Sequence, residues 1–195
     1  MNLFNNIKEP LAAKLRPENL DGVVGQEKII KNLQRMKEPV SIIFYGPPGT
    51  GKTTIAMILG KKWNLPFRSL SGVSSGVKEV RELTEETDKI GTILLFLDEI
   101  HRFSSSQQDS LLHAIEDGRI ILIGATTENP AFRINRPLLS RCNVLKLELL
   151  GENAMEEILA KSLAATDLVV EKNAKNTILN AAAGDGRKLI GIIEG

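Results

Sequence analysis

The sequence predicts an α/β fold: a parallel sheet sandwiched by helices and followed by a small all-helical unit. Three observations carry that prediction. Short, almost wholly apolar runs of strand length alternate with segments whose apolar residues recur at helical spacing. A glycine-rich loop separates the first such run from the helix after it. Beyond about residue 150 the strand-like runs stop, and only helical periodicity continues.

Taken in order, residues 26–36 place Ile29, Ile30, Leu33 and Met36 on one helical stripe. Residues 40–45 are short and almost wholly apolar, as expected of a strand buried on both faces. Residues 53–63 return to helical spacing through Ile55, Ile58 and Leu59, and residues 67–70 after Pro66 fit a short strand. Val77, Val80 and Leu83 mark a further helix, and residues 92–97 form a second apolar strand. Residues 106–116 read as a helix with a Ser-x-x-Asp start at Ser106 and Asp109 and a stop at Gly118. A third apolar strand follows at residues 120–125 and a fourth at 144–147. Residues 152–165 and 173–183 read as helices. After Gly184-Asp185-Gly186 comes a weak third one, since residues 188–193 are β-branched and glycine-interrupted. The division expected is therefore an α/β unit over 1–150 and a helical unit over 151–195.

Composition bounds the function. The chain has 195 residues, the size of one ordinary domain with a small appendage, and 42% of them are apolar, enough for a core. With 25 Lys+Arg against 24 Asp+Glu the net charge is +1, which excludes a uniformly basic coat for nucleic acid. Residues 1–150 hold 20 basic and 17 acidic groups, whereas 151–195 hold 5 and 7, so the small positive excess sits on the α/β part. The single cysteine, Cys142, cannot form an intrachain disulfide, and residues 1–10 contain no apolar leader core. No run reaches the roughly 18 apolar residues of a membrane span. The expectation is a soluble cytoplasmic protein with no membrane partner, nucleoid-associated if bacterial. No internal repeat is present.

The residues Gly46-Pro47-Pro48-Gly49-Thr50-Gly51-Lys52-Thr53 match the phosphate-loop pattern G-x-x-x-x-G-K-[ST] in full, with a strand before and a helix after. Small residues let the backbone curl so that successive N–H groups point at phosphate oxygens, and the helix N-terminus faces the same anion. Lys52 would reach the β- and γ-phosphates of ATP, and the Thr53 hydroxyl would ligate Mg²⁺. Read without that context, the same residues are a glycine-rich turn.

An independent second element follows. Residues 93–97 run straight into Asp98 and Glu99, so two carboxylates emerge at the C-terminal end of a buried strand, the edge at which open parallel sheets bind ligands. Asp98 is placed to hold Mg²⁺, directly or through water, and Glu99 to orient and deprotonate an attacking water. A nucleotide kinase has less need of the second carboxylate, so hydrolysis is favoured over phosphoryl transfer.

The loop 46–53 followed by Asp98-Glu99-Ile100-His101 resembles an AAA+ ATPase of the clamp-loader branch, a P-loop NTPase. Arg16-Pro17, Leu20-Asp21 and Val24-Gly25-Gln26 are similar to that branch's N-terminal signature, whose backbone lines the adenine pocket, which makes Val24 a nucleotide contact. The strings Asp98-Glu99-Ile100-His101-Arg102-Phe103, Gln107-Gln108-Asp109 and Gly124-Ala125-Thr126-Thr127-Glu128-Asn129-Pro130 resemble the RarA/MgsA family, whose eukaryotic counterpart is the Werner-helicase-interacting ATPase. The resemblance implies that Thr127 is the sensor-1 group touching the γ-phosphate or the water. It also implies that Arg141, in Leu139-Ser140-Arg141-Cys142, is an arginine finger for a neighbouring subunit's ATP. Arg187, in Gly184-Asp185-Gly186-Arg187, would be the sensor-2 contact of the lid. Family members have Ala where Gly186 stands, and they continue into a C-terminal oligomerisation region. The chain is therefore expected to be a piece of a longer protein that forms a homo-oligomer, with the lid incomplete.

The same resemblance implies DNA as partner, in forked, gapped or single-stranded/double-stranded junctions, with replication proteins possible as well. Clamp-loader helix starts face DNA, which makes Ser75, Gly76, Lys78 and Arg81 phosphate-contact candidates. A capped and solvated helix start is the plainer reading of those four. Eight aromatics leave little for base stacking. His101 and His113 lack metal-site spacing and read as structural, and Cys142 as a packed small residue. Three functions fit: a DNA-stimulated ATPase of replication, recombination and repair at stalled forks, a clamp-loader-like assembly module gated by ATP, and a branch-migration motor.

Overall fold

The structure is a computed structural model that describes residues 9–166 and 168–195. Most of the N-terminal stretch read for a leader, residues 1–8, lies outside the described residues. Helix α1 (Leu11–Lys14) and a 3-10 turn (Leu20–Gly22) precede α2 (Glu27–Arg35), then β1 (Ile42–Tyr45), α3 (Lys52–Lys62), β2 (Phe67–Ser71), α4 (Val77–Ile90) and β3 (Ile93–Asp98). A 3-10 turn (Ile100–Arg102) leads to α5 (Ser105–Glu116), β4 (Ile120–Thr126), the short helices α6 (Pro130–Arg133) and α7 (Arg136–Leu139), and β5 (Asn143–Lys146). Helices α8 (Glu152–Thr166), α9 (Lys172–Ala182) and α10 (Gly186–Glu194) complete the chain.

The five strands pair in the order β2-β3-β4-β1-β5, all parallel, so their C-terminal ends share one edge. The pleat sorts their side chains between two cores. Ile42, Phe44, Leu94, Phe96, Ile123 and Ala125 pack against α2 and α3. Ile43, Ile93, Leu95, Leu97 and Leu122 pack on the other side with Val80, Leu111 and Leu138. Every residue from Ile93 to Leu97 is buried, as a strand covered on both faces requires. β5 is an edge strand with most of its residues exposed.

A third core joins Leu150 and, from the C-terminal helices, Met155, Leu159, Leu189 and Ile193 to Leu11 of α1 and, at its rim, to Val24. The amide of Leu11 donates to Glu194 Oε1 at 2.7 Å. The two ends of the described chain therefore meet in one helical cluster, which the sequence division at residue 150 does not anticipate.

Two local expectations are corrected. The cap of α5 is Ser104 rather than Ser106: Ser104 Oγ accepts from the Gln107 amide, and Gln107 Oε1 accepts from the Ser104 amide at 2.8 Å. The segment expected to be a weak helix is the regular α10. Asp185 caps it by accepting the Lys188 amide at 2.9 Å, and Leu189 and Ile193 bury one face. Tertiary burial and a cap outweigh poor propensity there.

Candidate nucleotide-binding site

The loop between β1 and α3 curls because its glycines take backbone angles other residues resist: φ is +145° at Gly46, +67° at Gly49 and +98° at Gly51. Lys52 begins α3, and its ammonium folds back to donate to the carbonyls of Gly46 at 2.8 Å and Pro47 at 2.6 Å. Thr50 is buried and its hydroxyl donates to Pro47 O at 2.9 Å. Burial holds the Lys52 ammonium below its usual value of 10.5, and Asp98 and Glu99 oppose that effect by attraction.

Around this loop opens a cleft of about 230 Å³. Lys52 and Thr53, Asp98 and Glu99, Thr127 and Arg187, which come from four separate places in the sequence, all line it. Pro48, Gly49, Thr50 and Gly51 form its floor, and Val23 and Val24 with Leu15, Ile158 and Ile190 give one end an apolar wall. Gly46 and Pro47 lie behind, as acceptors for Lys52. The donor set fits a nucleoside triphosphate with Mg²⁺. Inward-curled amides and an ammonium suit the phosphates, a hydroxyl and a carboxylate suit the hard cation, and an apolar slot suits a base.

Asp98 ends β3 and accepts the Glu99 amide at 3.1 Å. Glu99 itself is left-handed, at φ 53° and ψ 42°, a backbone state that costs a non-glycine residue about 1–2 kcal/mol. Its carboxylate lies 3.4 Å from His101 Nε2 and 3.5 Å from Arg102 Nε. His101, expected to be structural, does not line the cleft but lies against the carboxylate of a residue that does. Only its position three residues after Asp98 gave any sign.

The helical unit closes one side through α10. The Gly186 amide donates to the Gly49 carbonyl at 3.2 Å, which brings Arg187 over the cleft. A side chain on Gly49 would begin 1.7 Å from Asp185 Oδ1, so the loop and the α10 cap touch directly. A methyl on Gly186 would meet Leu150 Cδ1 at 3.0 Å and the Gly49 carbonyl at 3.2 Å, so alanine there would ask these neighbours to shift by a few tenths of an ångström.

Arg141 is not in the cleft. Its guanidinium pairs with Glu116 and donates to Pro137 O at 2.7 Å on an outer face. Cys142 beside it packs against the second core, and burial pushes its thiol up to about 12. The four DNA candidates also lie outside the cleft, at the start of α4. There the Gly76 amide is taken by Glu79 Oε2 at 2.8 Å, Ser75 O accepts from Gln107, and Lys78 and Arg81 pair with Glu82 and Glu85. A phosphate would find the two cations exposed and the Gly76 amide already occupied.

The strings that carried the family resemblance interlock. Gln108 donates to Phe103 O and Arg133 O and accepts from the Asn135 amide, while Asp109 accepts from the Asn135 side chain. Asn129 caps α6 and Glu128 pairs with Arg133.

Residues 42–147 match the ATPase family associated with various cellular activities (AAA). The chain is 42% identical over 201 residues to the ATPase WRNIP1 of Dictyostelium discoideum, covering 95% of this chain and 23% of that protein. It is 39% identical over 211 residues to the replication-associated recombination protein A of Escherichia coli, covering 100% of this chain and 47% of that one. These relatives bear the family names that the sequence strings resemble. The chain spans half their length or less. Among solved structures it is similar to the Thermotoga maritima RuvB Holliday junction branch migration motor, with a TM-score of 0.78, 29% identity, and coverage of 92% of this chain and 64% of that one.

Proposed function

We propose that this chain, which belongs to the AAA ATPase family, binds ATP with Mg²⁺ in the cleft described above and hydrolyses it. The observation that carries this reading is the convergence of Lys52, Thr53, Asp98, Glu99, Thr127 and Arg187 on one cleft at the C-terminal edge of the sheet.

Thr53 and Asp98 would hold the Mg²⁺, which would supply positive charge against the phosphate oxygens. Lys52 leaves the carbonyls of Gly46 and Pro47 for the β- and γ-phosphates, and the loop amides hold the remaining oxygens. Glu99 orients a water and accepts its proton as the water oxygen bonds to the γ-phosphorus and the bond to the bridging oxygen breaks. Thr127 fixes the water or the γ-phosphate. Arg187 reports that phosphate to the lid, because α10 is already fastened to the loop through Gly49. Arg141 faces outward, as a finger on a neighbouring subunit's ATP requires, and in that role it would exchange Glu116 for the phosphate.

The relatives named for replication-associated recombination support a role in DNA replication and recombination; stimulation by DNA and repair at stalled forks are the further part of the proposal. Lys78 and Arg81 are the cations offered to its phosphates. A second reading, a branch-migration motor, draws on the likeness to the Thermotoga motor. The Ser140-Arg141-Cys142 string favours the first.

The test is the rate of ATP hydrolysis against protein concentration, with and without forked or gapped DNA. A rate per chain that rises with concentration and with DNA, and falls steeply with salt, is expected. No hydrolysis at any concentration contradicts the ATPase reading. Hydrolysis indifferent to DNA leaves the clamp-loader-like alternative, in which ATP gates protein binding.

A further inference from the structure

We infer that His101 is a positioning residue that ties the Glu99 carboxylate to the end of β4. This deepens the reading of Glu99 as the group that activates water, and it rests on that reading.

The backbone makes the arrangement possible. Because Glu99 is left-handed, the chain reverses sharply after β3, and the 3-10 turn Ile100–Arg102 carries His101 back beneath the end of β4. The imidazole is only 8% exposed. Its Nδ1 lies 2.9 Å from Thr126 Oγ1, and its Nε2 lies 3.4 Å from both Glu99 Oε2 and Glu128 Oε1. Thr126 is the residue before Thr127, so one ring spans the distance between the water-activating carboxylate and the sensor strand.

Contact lengths favour one set of proton positions. The Thr126 hydroxyl accepts the Glu128 amide at 3.0 Å and must place its own proton elsewhere. Two groups could take it, His101 Nδ1 at 2.9 Å and Glu128 O at 3.4 Å, and we assign it to the nearer. Nδ1 is then an acceptor, which puts the ring proton of the neutral imidazole on Nε2. That single N–H faces two carboxylates, both just beyond a tight hydrogen bond. It can close on one at a time. Glu128 has another partner, Arg133 Nε at 2.5 Å, whereas among the described residues the other ion pair of Glu99 is the long contact to Arg102. A small turn of the Glu99 side chain gives it the His101 proton and fixes the carboxylate against β4. Movement of Thr127 with the γ-phosphate would then be felt at Glu99 through Thr126 and the ring.

A packed histidine with no such task would leave the chemistry alone, so the test reads chemistry and tautomer separately. His101 and His113 are the only histidines, and the side chain of His113 is 89% exposed, an internal reference. In long-range ¹H–¹⁵N spectra of the ¹⁵N-histidine-labelled chain, His101 is expected as the Nε2–H tautomer. Glu99→Gln should shift the His101 Nε2 signal and leave His113 in place. An Nδ1–H tautomer, or a His101 signal indifferent to Glu99→Gln, overturns the inference.

In single-turnover hydrolysis, His101→Ala is expected to slow the step about tenfold, the rate equivalent of one hydrogen bond to a charged group, with nucleotide affinity unchanged. His101→Gln, whose amide nitrogen extends toward the place of Nε2, should restore most of the rate. On a Glu99→Gln background His101→Ala should cost nothing further. A normal rate in His101→Ala, or the same loss on the Glu99→Gln background, contradicts the inference. If His101→Ala fails to fold, Thr126→Val carries the kinetic comparison, since it removes the hydroxyl that sets the tautomer. Should Glu99→Gln itself hydrolyse normally, the ATPase assignment of Glu99 fails, and the tautomer result still decides whether the ring binds that carboxylate.

Discussion

At the scale of single residues, the cleft is stocked with groups that are provisionally satisfied by one another. The Lys52 ammonium occupies two loop carbonyls and is half-buried, so nucleotide phosphates offer it a better charge partner than it has. Lys52→Ala is therefore expected to weaken ATP binding at least about a hundredfold, the worth of two charge-assisted hydrogen bonds, in a direct binding titration. Cys142 makes a different prediction. Its thiol stays protonated to about 12 where an unfolded one ionises from 9.0. The unfolded chain thus releases a proton that the folded chain retains, and the stability contributed by the buried thiol is lost as pH rises from 9.0 toward 12. Thiol labelling of the native protein should be slow and should reach one group per chain only on unfolding. Most cleft residues were legible one by one, because a phosphate loop and a strand-end acidic pair are local patterns. His101 was not, since its partner Thr126 lies 25 residues away and only the sheet brings them together.

At the scale of elements, the union of α10 with the phosphate loop is the feature most open to mutation. Asp185 caps α10 and abuts Gly49, and the Gly186 amide is bonded to the Gly49 carbonyl. Asp185→Ala should cost about 1 kcal/mol of stability by denaturant unfolding, as lost helix caps do, with faster amide exchange confined to α10. Gly49→Ala should cost more, because it adds left-handed strain to displacement of the cap. Strands were the most legible elements: their apolar runs admit little else when both faces are covered. Helix α10 was less so, because the burial of Leu189 and Ile193 that stabilises it comes from residues of α1 and α8. Helices α6 and α7 went unread although Asn129-Pro130 and Asn135 mark both starts, since each is only four residues long.

At the scale of the whole molecule, the proposed role of the outward Arg141 as a finger makes turnover a property of assemblies. Arg141→Ala should lower turnover only at concentrations where chains associate, measured as rate against concentration alongside sedimentation. An equal loss in a demonstrated monomer would contradict the finger assignment. Under the proposed DNA role, the small cationic excess of the α/β part would act through several copies presenting Lys78 and Arg81 together, and DNA binding that grows more sensitive to salt as chains associate is the expected outcome. All of this depends on the cleft hydrolysing ATP through Glu99. The most direct measurement is ATP binding and single-turnover hydrolysis of Glu99→Gln beside the unaltered chain. Unchanged binding with hydrolysis slowed at least about a hundredfold, as loss of a general base entails, is the predicted result. Hydrolysis at the unaltered rate would contradict it.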